Sequence, residues 1–377
     1  MKWFEAGTVK LETAPLAPQS VKTDDIGKSM EVIKKNIRPL SGVSASSPYP
    51  LIQDQFGRRF NYLRIALNEQ CNLRCIYCMP EEGISFRSSD KLLSTEELCR
   101  LMTIFSKMGI SKLRFTGGEP LLRNDLTHLI FHAKSTPGIQ SIHVTTNGLL
   151  LAKHIVGLER VGLTGINISI DTLNRKKYQM ITRRDGLSAA MDGLQKAIQS
   201  TIHSVKINVV ALREFNDDEL SDFVELTKDN NITIRFIELM PFDSHQIWKT
   251  GKFYGADHIV DDLRKQIAHL EVAEGSRTEH HIFQVKGYRG KLAVIPSYSR
   301  SLCDQCNRIR VTADGKLLNC LYSRENETNL RDAMRNGLDD NEIREMVYQT
   351  MWKKFGDGWD AQHHGTDHRE SMTQIGG

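Results

Sequence analysis

Residues 62–80 read YLRIALNEQCNLRCIYCMP, and this stretch decides how the whole chain is understood. A short apolar strand leads into three cysteines, Cys71, Cys75 and Cys78, spaced C-x3-C-x2-C just ahead of Met79 and Pro80. A structural zinc site closes with four ligands, so a three-thiolate set leaves one coordination position free. Soft thiolates also suit an iron–sulfur cluster, whose usual complement is four cysteines. A cluster with one iron not held by protein can bind a substrate or cosubstrate directly.

A second trio, Cys303, Cys306 and Cys320, is spaced C-x2-C-x13-C and again stops at three. The bland alternative is zinc, with His280, His281 or a carboxylate completing each site, because C-x2-C pairs are common in zinc modules. Neither trio has a fourth cysteine or histidine at the usual short spacing. Cys99, the seventh cysteine, falls in a helix-like stretch and reads as a small buried residue. An odd count of 7 cysteines fits a reducing compartment and metal-binding thiols better than disulfides.

The chain has 377 residues, 40% hydrophobic and 25% charged, which is ordinary for a globular protein. Its 50 basic and 46 acidic residues give a formal charge of +4, too mild to argue for nucleic acid. No apolar run reaches the roughly 18 residues that a membrane helix needs. Residues 1–50 lack hydrophobic periodicity and read as a flexible extension, with one short helix near Lys28–Asn36. A mitochondrial presequence would be Arg-rich and poor in acids, whereas this stretch has Glu5, Glu12, Asp24 and Asp25 with Arg38 its only arginine. The cytoplasm is therefore expected, or the mitochondrial matrix if the extension is a presequence.

Six β-branched runs recur: Tyr62–Leu67, Lys112–Thr116, Ser141–Thr145, Gly165–Ile170, Val205–Val210 and Thr233–Ile237. Helix-like segments lie between or after them at Thr95–Lys107, Asp125–His132, Leu151–Val161, Leu187–Ser200 and Asp217–Asp229. Ser94 with Glu97 three residues later is a capping-box pattern. Alternating strands and helices argue for parallel pairing with right-handed crossovers, hence an α/β fold. One face of the strands is apolar (Leu63, Ile65, Leu113, Phe115, Ile166, Ile207) and packs on helices. The other carries Arg64, Arg114, His143, Lys206 and Arg235. A complete eight-stranded barrel fills its lumen with branched apolar side chains. Six strands with a polar, cation-bearing inner face imply an incomplete barrel around a large polar ligand. Burying those cations without partners would cost several kcal/mol each, so a polyanion or matching carboxylates must be near. For single residues the plainer reading is a strand-neighbour pair, such as Arg235 or His143 with Glu238.

Polar and glycine-rich residues gather at strand C-termini, where barrel sites are built. Gly117, Gly118, Glu119 and Pro120 follow the second strand, Thr146, Asn147 and Gly148 the third, and Ser169, Ile170 and Asp171 the fourth. Paired glycines let backbone groups approach a ligand without Cβ obstruction.

The amino-terminal trio with Tyr77 between its last two cysteines resembles the cluster motif of radical S-adenosylmethionine (SAM) enzymes. Together with the stretch CDQCNRIRVTADGKLLNC at 303–320, the chain from about residue 54 onward resembles the GTP 3′,8-cyclase family of molybdenum cofactor biosynthesis. The resemblance includes Phe56-Gly57-Arg58, the GGEP and TTNG strings, Glu238–Phe242 and the terminal Gly376-Gly377. One departure is the absence of a basic residue at Gln70, directly before Cys71.

That resemblance implies a partial (β/α)6 radical SAM barrel over 51–241 and a C-terminal α+β region over 242–377. It implies two [4Fe-4S] clusters, one on Cys71, Cys75 and Cys78 and one on Cys303, Cys306 and Cys320. Tyr77, Gly118, Ser169 and Met240 would line the SAM pocket. Arg64, Arg114, Thr145, Lys206, Arg308, Ile309 and Arg310 would hold GTP, with Arg308, Arg310 and the Gly376-Gly377 tail assisting catalysis. The implied lyase reaction uses a 5′-deoxyadenosyl radical to take hydrogen from C3′ of GTP, and the sugar radical then attacks C8. Implied partners are a reductant protein and the cyclic pyranopterin monophosphate synthase that takes the product, with no nucleic acid or membrane. A monomer or homodimer is expected. The rivals are a radical SAM peptide-modifying enzyme with an auxiliary cluster and a zinc-binding interaction module.

Overall fold

The computed structural model describes residues 49–240, 251–275, 281–299, 302–323, 328–363 and 371–375. All of these belong to one compact unit, Ser47–Gly377. The expected helix near Lys28–Asn36, the boundary at 241, His280 and the Gly376-Gly377 tail lie outside the described residues.

Six parallel strands form in chain order: β1 (Tyr62–Ala66), β2 (Lys112–Thr116), β3 (Ser141–Thr146), β4 (Gly165–Ser169), β5 (Ser204–Ala211) and β6 (Ile232–Glu238). The helices between them are α1 (Thr95–Lys107), α2 (Leu126–Ser135), α3 (Leu151–Arg160), α4 (Arg175–Thr182), α5 (Leu187–Gln199) and α6 (Leu220–Glu225), and α7 (Ala256–Gln266) follows β6. The capping box at α1 is present: Glu97 N–H donates to Ser94 Oγ at 3.2 Å, and Ser94 N–H donates to Glu97 Oε2 at 2.8 Å.

Two helices depart from the sequence expectation. The local pattern did not flag α4, which starts because Asn174 Oδ1 accepts from the N–H groups of Lys176 and Lys177. The helix expected over Asp217–Asp229 breaks into a short 3-10 turn, Asp217–Glu219, followed by α6. Glu219 is buried there and accepts from Thr172 Oγ1 at 2.7 Å and Leu173 N–H at 2.6 Å. A tertiary bond thus overrides the local helical preference.

The sheet extends beyond six strands. Among β7 (Leu270–Val272), β8 (His281–Val285), β9 (Lys291–Ile295), β10 (Arg308–Val311), β11 (Lys316–Leu318) and β12 (Thr328–Asn329), two join the parallel set. β10 pairs parallel with β1, and β9 pairs parallel with β6. The full order is β12-β11-β10-β1-β2-β3-β4-β5-β6-β9-β8-β7. Among the described residues no ladder joins β9 to β10, so the curved sheet stays open there.

Parity along the strands does the sorting. Leu63, Ile65, Leu113, Phe115, Ile166, Ile168, Ile207, Ile234 and Phe236 are fully buried in one core with Leu98, Leu101, Leu129 and Leu158 of the surrounding helices. The opposite parity points to the lumen. Among the described residues no helix is long and apolar enough to cross a membrane.

The paired glycines after β2 have a structural use. Gly118 N–H donates to Asn68 O at 2.9 Å, and Glu119 N–H donates to Gln70 O at 2.7 Å. A Cβ on Gly118 would lie 2.0 Å from Gln70 O, and one on Gly117, whose φ is +128, would lie 2.4 Å from Asn68 O. The close approach they permit is therefore to the backbone that carries Cys71. Because the obstruction is backbone rather than a flexible side chain, Gly118→Ala should cost at least about 1–3 kcal/mol. Thermal melting of the variant would show this, together with poor iron uptake; wild-type melting and iron content would refute the docking role.

Candidate functional site

At the C-terminal ends of the strands, the loop after β1 gathers three free thiols, Cys71, Cys75 and Cys78. Cys78 N–H and Met79 N–H both donate to Cys75 O, at 2.9 and 3.0 Å. Leu73 N–H reaches Cys71 Sγ at 3.4 Å, and Asn147 Nδ2 reaches it at 3.8 Å. Glu119 holds the neighbouring loop in place, accepting from Leu121 N–H, Thr146 Oγ1 and Asn147 N–H. Burial raises its pKa to about 7 against those hydrogen bonds. Tyr77 OH donates to Asp171 Oδ2 at 2.7 Å, while Val210 N–H donates to Asp171 Oδ1 at 2.8 Å. Burial raises Asp171 to about 6.

These thiols resist ionising together as bare groups. Burial, then the charge of Cys78 and Asp171, push Cys75 well above its ordinary range. Burial and the charge of Cys71 push Cys78 up to about 12. A cationic centre bound between them removes that penalty, since a coordinating thiol is deprotonated outright. Three thiolates on one tetrahedral zinc would lie about 4 Å apart. Among the described residues, no three His, Cys, Asp or Glu side chains converge closely enough to hold a single ion. Three soft thiolates with no fourth protein ligand suit an iron–sulfur cluster that keeps one iron open.

The lumen holds a cavity of about 250 Å³. Strand register stacks its wall in layers. Tyr62 of β1 lies beside Lys112 of β2 and Arg308 of β10; one step along the strands, Arg64 lies beside Arg114 and Arg310. Lys206, Arg235 and Thr145 add to the lining from β5, β6 and β3, and among the described residues no Asp or Glu lines it. Arg64 Nε, Arg114 Nε, Thr145 Oγ1 and Asn208 Oδ1 are buried with no hydrogen-bond partner. Each such group costs about 1–3 kcal/mol until something binds it.

Electrostatics agree. Burial, then Arg64, Arg235 and Arg308, lower Arg114 to about 9, with Tyr62 opposing. Burial, then Arg64 and Arg308, lower Arg310 well below the usual guanidinium value. Burial and the cations Arg114, Lys112, Lys206 and Arg235 depress His143 to about 2, so its imidazole is neutral. Glu238 does not neutralise the set: its carboxylate accepts from the N–H groups of Ala256, Tyr298 and Ser299. The cavity is built for a polyanion.

Cys303, Cys306 and Cys320 line the same cavity, at the end where β10 begins. Arg58 fixes this end. Its Nε pairs with Asp54 at 2.6 Å, and Nη1 donates to Cys303 O at 2.8 Å and Gly356 O at 2.6 Å. Burial opposes ionisation of Cys306, yet Lys354, Arg308 and Arg58 together bring its thiol below the usual range. The two trios thus lie at opposite ends of β1 and β10, about 15 Å apart along the strand direction.

Most residues expected from the sequence converge here: Arg64, Arg114, Thr145, Lys206, Met240, Arg308 and Arg310 all line the cavity. Tyr77, Gly118 and Ser169 belong instead to the strand exits above it. Ile309 has the wrong parity; it is fully buried in the core beside Leu63, so its side chain faces away from the cavity. The sequence reading did not single out Tyr62, Lys112, Lys354 or the Asp54–Arg58 pair. Tyr62 and Lys112 share parity with Arg64 and Arg114, a signal that was present. Arg58 belongs to the Phe56-Gly57-Arg58 string of the family resemblance, though nothing local announces its contact with Cys303, and for Lys354 no local signal exists.

Two family models match the chain: the radical SAM superfamily over residues 65–227 and Molybdenum Cofactor Synthesis C over residues 232–357. A GTP 3′,8-cyclase of Chlorobaculum tepidum is 40% identical over 327 residues, covering 87% of this chain and 97% of that protein. The chain belongs to the GTP 3′,8-cyclase family. The mitochondrial GTP 3′,8-cyclase of Arabidopsis thaliana, another relative, is 40% identical over 305 residues, covering 81% of this chain and 78% of that one. Molybdenum cofactor biosynthesis protein 1 of Homo sapiens is 38% identical over 345 residues, or 91% of this chain. The chain spans 53% of that relative's length. Among solved structures, SuiB of Streptococcus suis superposes with a TM-score of 0.52 at 13% identity, covering 78% of this chain and 66% of that one. The enzyme anSMEcpe with bound AdoMet gives 0.51 at 14%, covering 69% and 71%. These two likenesses concern the α/β fold alone; SAM and an iron–sulfur cluster follow from the match to the radical SAM superfamily.

Two measurements test the family site's geometry. Arg58→Ala leaves Asp54 buried and unpaired and should cost about 3–5 kcal/mol in denaturant unfolding; a change within error would mean the clamp contributes nothing. Tyr62 offers a titration. Burial opposes its ionisation, but Arg114, Arg64, Lys112 and Arg308 outweigh burial and lower its pKa to about 7. The depressed value means that phenolate stabilises the fold fully above pH 10.0 and that this contribution is lost as pH falls through about 7. The nucleotide-free protein should show one tyrosine gaining phenolate absorbance near that pH, and Tyr62→Phe should remove it.

Proposed function

We propose that this chain is a radical SAM lyase that converts GTP to (8S)-3′,8-cyclo-7,8-dihydroguanosine 5′-triphosphate, the first step of molybdenum cofactor biosynthesis. The observation that carries this reading is a cation-walled cavity with one cysteine trio in its wall and another at the strand exits above it. In this reading each trio holds a [4Fe-4S] cluster with one iron left open. Bound SAM, reduced through the cluster on Cys71, Cys75 and Cys78, supplies the 5′-deoxyadenosyl radical.

The chain's own residues place the reactants. Tyr77, Gly118, Ser169 and Met240 hold SAM, with Tyr77 oriented by its bond to Asp171. Arg64, Arg114, Lys206, Arg308 and Arg310, joined by Thr145, grip the triphosphate; guanidinium forks can give two hydrogen bonds at once to phosphate oxygens. Lys112 and Arg235 add charge on the same wall. Cys303, Cys306 and Cys320 would hold the second cluster, whose open iron would bind guanine. Neutral His143 and the enclosing strands limit water and stray protons. The Gly376-Gly377 tail enters the cavity during turnover in this reading.

A reductant protein supplies the electron, and the product passes to a pyranopterin-forming synthase; the chain works as a monomer or homodimer. Free thiols at every described cysteine suit a reducing compartment, either cytoplasm or mitochondrial matrix. A peptide-modifying activity fits less well, because a peptide backbone offers such a cation wall no concentrated negative charge.

Anaerobic reconstitution should load about eight irons per chain. Incubation with GTP, SAM and a strong reductant should then yield 5′-deoxyadenosine and the cyclised nucleotide. Cys306→Ala should keep about four irons and still cleave SAM without cyclising GTP. Formation of 5′-deoxyadenosine with no cyclised nucleotide from the wild-type protein would overturn the substrate assignment.

A further inference from the structure

The segment Ser371–Ile375 packs directly on the cysteine loop that follows β1. Ser371, Thr373 and Ile375 are 1%, 3% and 2% exposed, so this is a seated segment. Ser371 Oγ donates to Cys78 O at 2.8 Å, and Met372 N–H donates to the same carbonyl at 3.2 Å. Thr373 N–H donates back to Ser371 Oγ at 3.2 Å, and the Thr373 hydroxyl lies 3.0 Å from it, fixing the serine side chain. A short 3-10 turn, Met372–Gln374, begins at this serine and aims its first N–H groups at the loop.

Contacts outside the ligand atom fix a ligand's orientation, and donor dipoles and solvent exclusion beside a cluster tune its potential; here two donors converge on the carbonyl of Cys78 and a buried segment covers its loop. Neither effect is needed to hold the barrel together, since the core strands and helices lie elsewhere. We propose that Ser371–Ile375 is a strap that positions Cys78 and raises the reduction potential of the cluster it helps to hold, with Ser371 as the positioning residue. The inference rests on a cluster being held by Cys71, Cys75 and Cys78. It adds that seating of the strap and the redox state of that cluster are coupled. By linkage the coupling is reciprocal: a loaded cluster holds the strap more firmly.

The test uses the full chain, reconstituted anaerobically as wild type, Ser371→Ala and Ser371→Thr. Redox titration follows the electron paramagnetic resonance signal that changes when SAM is added, which marks the first cluster. Ser371→Ala should lower the reduced-to-oxidised ratio at fixed potential about tenfold, equal to about 59 mV for a one-electron couple, and Ser371→Thr should restore it. An unshifted midpoint in Ser371→Ala would overturn the donor role. Hydrogen exchange keeps the question open to disproof if that variant loads poorly. In the wild-type protein, amides of residues 372–375 should exchange at least tenfold more slowly with cluster than without, and equal rates would overturn the strap. A wild-type chain that took up no iron would instead overturn the cluster assignment itself, which iron counting distinguishes from both results.

Discussion

Guanidinium groups packed side by side in a buried wall repel one another, and that repulsion shapes this site. Arg64, Arg114 and Arg310 stand side by side on three adjacent strands, and burial and neighbouring cations lower the basicity of Arg114 and Arg310. A fold that needed only stability would place acids between them or turn them to solvent. The core on the opposite face supplies the binding force, with apolar side chains from every central strand packed on the helices. Hydrophobic burial on one face thus holds an electrostatically unfavourable wall on the other until a polyanion arrives.

The register between β1 and β10 gives that wall its direction. Because the two strands run parallel, the cysteines following β1 and those preceding β10 lie at opposite ends of the strand pair, with the arginine layers between them. Fixed cations need no reorganisation when charge is bound, which is how a preorganised site spends its folding energy usefully. Around this axis sit supporting bonds: Glu119 under the loop carrying Asn147, Asp171 behind Tyr77, and Arg58 behind Cys303.

Much of the barrel half was legible residue by residue. Period-two alternation is a local property, so the lumen positions of Arg64, Arg114, Lys206 and Arg235 could be read from their own strands. The same rule explains why Ile309 does not belong with Arg308 and Arg310, although a contiguous stretch suggested otherwise. Glu219 shows the opposite case. Its helix-like surroundings predicted one long helix, but its carboxylate is drawn to Thr172 and Leu173 and breaks it. The paired glycines were read as room for a ligand, while their tightest neighbours are backbone atoms of residues 68–70.

By itself the sequence determined the two incomplete thiol sets, the strand–helix alternation and the sign of the charge inside. Each of these is written in spacing or periodicity within a few residues. Only the tertiary structure decided that β10 would lie against β1, that Arg58 would clamp the loop of Cys303, and that Ser371 would seat on Cys78. Those contacts join segments hundreds of residues apart, where one hydrogen bond leaves no periodic trace in the chain and is selected only when the whole core closes around it.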